Sequence, residues 1–243
     1  MNPKPNHLAV LINVAFLKRL LLVSVFSVAA AGSLANYLIY HFVDSHSIGL
    51  QKLLRRFDLG HEPSFPNFFS SLLIFVAAAI TLANGLKSSS AKYSWFLLSG
   101  ILICLSIDES IMLHEMLDAT FREIGWNKHA FFFPWTVAGV LFAGSVFLAT
   151  KKVLTTTAPP IAIRMMAGGF VFLLGAVGVE NVAAYIFELS GSEAEGVKTI
   201  AHWISQTFEE TFEMLGMTIF IFAVSDNLID SEKTVSLEVN SLS

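Results

Sequence analysis

The stretch Tyr93–Leu117, "YSWFLLSGILICLSIDESIMLHEML", decides the fold. Its first fifteen residues carry no charge, and its last ten hold Asp108, Glu109, His114 and Glu115. About 20 mostly apolar residues suffice to cross a hydrocarbon core of about 30 Å. The stretch therefore reads as a membrane-crossing helix with ionisable groups gathered at one end.

Five further apolar runs lie at about 20–42, 67–86, 130–150, 161–187 and 202–225, making six with 93–117. They are long and continuous, unlike the short alternating segments of a membrane β-barrel. Composition agrees: the chain is 54% hydrophobic and only 14% charged, against about 45–50% and about 25% in soluble domains. The expected fold is an all-α, polytopic transmembrane bundle of six helices. A single domain is expected over 1–230, followed by a disordered polar tail at 231–243, "SEKTVSLEVNSLS". Lys18 and Arg19 precede "LLLVSVFSVAAAG", which has signal-peptide character, but the apolar run continues to Phe42 and is too long for an h-region. It is read as a retained first span. A single cysteine, Cys104, excludes an intramolecular disulfide and a thiolate metal cluster. No basic stripe suited to nucleic acid is present.

Loop lysines and arginines set the expected orientation. Lys4, Lys18, Arg19, Lys87, Lys92, Lys151, Lys152, Arg164 and Lys233 fall on the side of the termini, and Lys52, Arg55, Arg56, Arg122, Lys128 and Lys198 on the other. Nine against six predicts both termini in the cytoplasm, in a cell inner membrane. With that orientation 15 of the 19 acids, and every histidine but His7, lie outside or in the outer half of a span. "IGLQKLLRRF" (Ile48–Phe57) is amphipathic and basic, and is expected along the membrane surface. A solvated loop helix is the competing reading.

At about 100° per residue, Asp108 and Glu115 share a face of the third span, His114 and Asp118 flank it, and Glu109 points elsewhere. In "HWISQTFEETFEML" (His202–Leu215), His202, Gln206, Glu209 and Glu213 form one stripe with Glu210 beside it. The fifth span offers Glu180 and Asn181 inside "GVENVAAYIFE". Asp108, Glu180 and Glu209 come out within about two helical turns of one depth, although the sixth span runs opposite to the third and fifth. Intramembrane carboxylates normally face protein or a wet cavity and are functional candidates. Asp118, Glu123, Glu188, Glu193 and Glu195, with His41, His46 and His129, fit the headgroup region without a special role. His114 and His202 fit either description. No Lys or Arg lies within these stripes, so protons or a bound cation must supply the opposing charge.

Three segments carry a resemblance: "HEPSFPNFFSSLLIF" (His61–Phe75), "LSIDESIMLHE" (Leu105–Glu115) and "EETFEMLG" (Glu209–Gly216). The chain resembles a group of uncharacterised bacterial multi-pass membrane proteins with D-E-x-x-x-x-H-E and E-E-x-x-E-M-L-G spans. The resemblance implies no activity. It points to Glu62, Ser70, Asp108, Glu109, His114, Glu115, Glu209, Glu210 and Glu213, with Glu62 over the mouth of the cluster.

An oxygen-rich set with one or two imidazoles suits Fe, Mn, Zn, Mg or Ca and not a soft metal. The Glu-x-x-His pairs of di-iron bundles are absent, as are H-E-x-x-H, G-x-S-x-G and Walker sequences. The leading expectation is a metal-dependent membrane enzyme. Asp108, Glu115, Glu209 and Glu213 would hold a divalent ion, and His114 or His202 would complete its sphere. Glu109 or Glu180 would act as general acid/base, and the substrate would be a lipid-type molecule met among the membrane lipids. A cation- or proton-coupled transporter using the same carboxylates is the alternative. Behind these stand a haem held by His114 and His202, and a structural polar network.

Overall fold

A computed structural model describes residues 14–42, 48–60, 63–123, 135–189 and 200–241. The described residues are helical, in the order α1 (Val14–His41), α2 (Ile48–Arg55), α3 (Phe65–Lys87), α4 (Lys92–Ile111), α5 (Leu113–Glu123), α6 (Trp135–Thr156), α7 (Pro159–Leu173), a π-helical turn (Leu174–Val179), α8 (Glu180–Leu189) and α9 (Ile200–Ser241). Six helices are long and apolar enough to cross a membrane: Val14–Ile39, Phe65–Lys87, Lys92–Ile111, Thr136–Thr156, Pro159–Ala183 and Ile200–Asp230. The expected six-span, all-α bundle is the fold. In lipid each backbone N–H and C=O must be satisfied within the segment, and the helix does this.

The boundaries differ from the sequence reading in two informative places. The third span stops at Ile111 rather than 117, because Met112 adopts a left-handed conformation (φ 57°) and a new helix starts at Leu113. Asp108 drives the break: its Oδ1 accepts the His114 backbone N–H at 3.0 Å, and side chains of this kind compete with the helical ladder. The fourth span runs on to Thr156 rather than ending at 150, while its expected start at 130 lies outside the described residues. It keeps Lys151 and Lys152 within the helix, since long cationic stems reach the interface from inside a span. Helix α9 continues to Ser241, over the stretch read from sequence as a polar tail.

Helix α9 is the centre of the bundle, packed by α7, the π turn, α3 and α1, while α4 lies against α3 and α6 against α4. Lipid tails are as apolar as leucine, so close packing and polar glue hold such helices together. Both devices are present. A Cβ on Gly216 would lie 2.3 Å from Phe172 N, and one on Gly168 2.7 Å from Phe220 N. These two glycines let α7 and α9 approach backbone to backbone. Helices α3 and α4 are joined by hydroxyls: Ser71 Oγ donates to Ser106 O (2.7 Å), Ser106 Oγ to Ser71 O (2.9 Å) and Ser99 Oγ to Ala78 O (2.9 Å). The core between these seams is apolar and includes Val25, Ile74, Ala77, Trp95, Met214 and Val224.

At one end of the bundle Asp226 binds two cations, Lys18 Nζ at 2.5 Å and Arg164 Nη1 at 2.5 Å. Asn227 Nδ2 donates to Asn84 Oδ1 at 2.7 Å close by. The start of α1 and the late part of α9 therefore meet at this end. The acids gather at the opposite one.

Gly216→Ala should lower thermal stability in detergent by about 1–3 kcal/mol, the usual range for an overpacked contact. Gly100→Ala, whose Cβ would meet nothing within 4 Å, should leave the melting midpoint unchanged. Equal effects of the two would show that the α7–α9 crossing is not a tight contact.

Candidate functional site

The acidic end is assembled from α3, α4, the π turn, α8 and α9. On α9, His202 and Glu213 are buried, with Glu209, Glu210 and Gln206 half-buried. Glu213 is the deepest acid and is 8% exposed. Its carboxyl lies within electrostatic reach of Glu109, Glu210, Glu209 and Glu180. Acids from three chain segments thus act on Glu213.

Glu109 comes to this place from α4 and is 9% exposed. The sequence reading aimed it away from the cluster, and this is corrected: Glu109 is the buried acid of the third span, and Asp108 is half-buried. Asn67 on α3 holds the Glu109 residue, with Nδ2 donating to its carbonyl at 2.6 Å and to Oε1 at a long 3.5 Å. Ser70 Oγ lies beside the same carboxyl without a well-formed hydrogen bond. The start of α3 is itself fixed, since Ser64 Oγ accepts the Asn67 N–H at 3.4 Å and Pro66 sits in the first turn, where its missing N–H costs nothing.

Asp108 is committed elsewhere. Oδ1 accepts the His114 N–H and Oδ2 lies 3.2 Å from His114 Nδ1. The pair caps the first turn of α5, where a carboxylate meets the positive end of the helix. The break at Met112 also ends the continuous register that aligned Asp108 with Glu115. The side chains of Glu115, Asp118 and Glu188, and residue Glu62, lie outside the described residues.

Glu180 follows the π turn directly. A Cβ on Gly175 in that turn would lie 2.6 Å from Glu209 O and 3.0 Å from Glu213 Cγ. Only glycine lets the wide turn sit against the two α9 acids. The widened turn is stabilised by Asn181, whose Nδ2 donates to Val177 O at 2.6 Å. Single π turns of this kind recur at functional sites.

Gln206 belongs to an adjoining polar patch rather than to the carboxyl group. Its Oε1 accepts from Asn36 Nδ2 at 3.3 Å, and its amide packs over Gly60, where a Cβ would lie 2.0 Å from Nε2. Trp203 Nε1 donates to Ser33 O at 3.1 Å. The stripe His202–Gln206–Glu209–Glu213 is thus real as a stripe, but its members meet different partners.

Among the described residues, no three His, Cys, Asp or Glu side chains are placed together as the ligands of one metal ion. The acids are electrostatic neighbours from separate helices and not a formed chelate. Two contributors escaped the sequence reading, Asn67 and the Ser71–Ser106 seam. Their signal was present as polar residues at helical spacing inside apolar runs, "NFFSS" and "SGILICLS".

The family model described as a domain of unknown function (DUF8692) matches residues 18–228. The chain belongs to that family. No curated protein and no solved structure matches it. The matched region takes in every acid of the site, the Asn67 clamp and the Asp226 ion group. The match covers most of the chain and is not confined to one motif.

Asp108→Ala should remove the cap of α5 at a cost of about 1 kcal/mol. Amide hydrogen exchange in Leu113–Glu123 should speed up, with the rest of the bundle unchanged. Met112→Gly should act oppositely and slow that exchange, since glycine takes a left-handed conformation without penalty.

Proposed function

We propose that the acids at this end form a one-sided cation site of a metal-dependent membrane enzyme acting on a lipid-type substrate. In this reading the acidic end faces outward from a bacterial inner membrane and both termini are cytoplasmic. The supporting observation is the electrostatic one. Among the described residues, the charged side chains that bear most on buried Glu213 are carboxyls, from Glu109, Glu210, Glu209 and Glu180. Like charges brought together in a buried site require a compensating positive charge. A divalent ion held by Glu209 and Glu213 after a rearrangement of their side chains, which do not form a chelate with a third ligand among the described residues as they stand, would provide it and would polarise an ester or phosphoryl oxygen. Glu109, held by Asn67 on the facing helix, is placed as the acid/base partner, with Glu180 as the second such group.

The apolar layer below the acids favours an enzyme over a conduit. Ile74, Ala77, Ala78, Met217 and Val224 lie between the acids and the Asp226 ion group, with only the buried hydroxyls of Thr81 and Thr218 among them on these helices. A substrate or ion therefore enters and leaves from the acidic side. A second reading, a proton-coupled transporter, draws support from the lack of three converging metal ligands among the described residues. There the Glu109–Glu213 pair would hold protons instead of a metal ion.

Elemental analysis of the detergent-purified protein separates these readings. The first predicts close to one Fe, Mn, Zn or Mg per chain, reduced at least tenfold in Glu213→Gln and in Glu109→Gln/Glu209→Gln. A metal-free protein whose liposomes show a proton flux abolished by Glu213→Gln would sink the enzyme reading and establish transport.

A further inference from the structure

Helix α2 is a surface element with nothing buried in the bundle. Its helical register separates two chemistries. Leu50, Leu53, Leu54 and Phe57 fall on one side, and Lys52, Arg55 and Arg56 on the other. Leu50, Leu53 and Phe57 are exposed, as are the three cations. A short helix with this division belongs at a water–lipid boundary.

The loop after α2 fixes where that boundary runs. A Cβ on Gly32 of α1 would lie 2.6 Å from Leu59 Cγ and 2.8 Å from Phe57 O, and Gly60 is covered by the Gln206 side chain of α9. Asp58 accepts the Gly60 N–H at 3.0 Å, and Phe65 N–H donates to Arg56 O at 2.7 Å. The loop is therefore pinned at the level of Gly32 and Gln206. That level is nine residues before the end of α1, or about 13 Å inside that helix end.

We propose that α2 lies in the headgroup plane and forms a docking site for phosphate-bearing anionic phospholipid. Its leucines enter the acyl boundary, and Lys52, Arg55 and Arg56 bind the phosphate. Cationic side chains at such a surface attract anionic lipid individually and add up. The last turns of α1 then stand above the hydrocarbon. Glu213, seven residues beyond Gln206, lies about 10 Å below the α2 loop by helical rise. The acidic site is thereby within reach of a lipid headgroup held at α2.

Two measurements on the full chain test this. A spin label at Leu53→Cys, in a Cys104→Ala background, reports depth in liposomes of phosphatidylglycerol and phosphatidylcholine. The expected position is at the carbonyl level, just below the phosphates. A fully aqueous label would overturn the proposal in favour of a solvated loop helix, and a label near the bilayer centre would overturn it in favour of a re-entrant one. Native mass spectrometry then counts retained lipid. Lys52→Gln/Arg55→Gln/Arg56→Gln should lose at least fivefold of its bound phosphatidylglycerol and none of its phosphatidylcholine. Undiminished phosphatidylglycerol in that variant would overturn the docking site even with the label at the expected depth.

Discussion

The backbone contact between α7, its π turn and α9 is the constraint on which the rest of the bundle depends. Gly168 and Gly216 remove the side chains that would hold the helices apart, and Gly175 does the same one level higher. In lipid no hydrophobic force draws helices together, so closeness of approach must do so. The same contact decides the chemistry. It presses the π turn against Glu209 and Glu213, and it delivers Glu180, the residue after the turn, to the same zone. A looser crossing would spread those acids apart.

Concentrated negative charge is stabilised here by division of labour among the helices. Helix α3 supplies neutral polar groups: Asn67 clamps Glu109, and Ser71 closes the α3–α4 seam. Helix α5 absorbs Asp108 and His114 as its own cap. His114 also bears on Glu109, and Glu109, Glu180, Glu209 and Glu210 act together on Glu213. At the other end Asp226 meets Lys18 and Arg164. The two ends thus have contrasting electrostatics. One is an acid enclosed by bases, which ties three helices together. The other brings Glu109, Glu180, Glu209 and Glu210 to bear on the buried Glu213. Between them lies an apolar layer.

The six spans, their order and the gathering of acids at one end were legible in the residues alone. Hydrocarbon tolerates only long apolar helices, and charge at a span end is visible as a break in hydropathy. The stripe on α9 was equally legible, because a helix repeats every 3.6 residues whatever surrounds it. Which acid of "SIDES" faces the cluster was not. That depended on Met112 taking a left-handed conformation, on Asp108 turning to the His114 backbone, and on Asn67 reaching across from α3. Each is a choice between near-equal local options that only the neighbouring helix settles. The sequence by itself determined a six-helix membrane bundle with an acidic end. The tertiary structure decided that Glu109 and Glu213 are the acids buried there, because helix rotation and breaks are set by close contacts between helices and not by hydropathy.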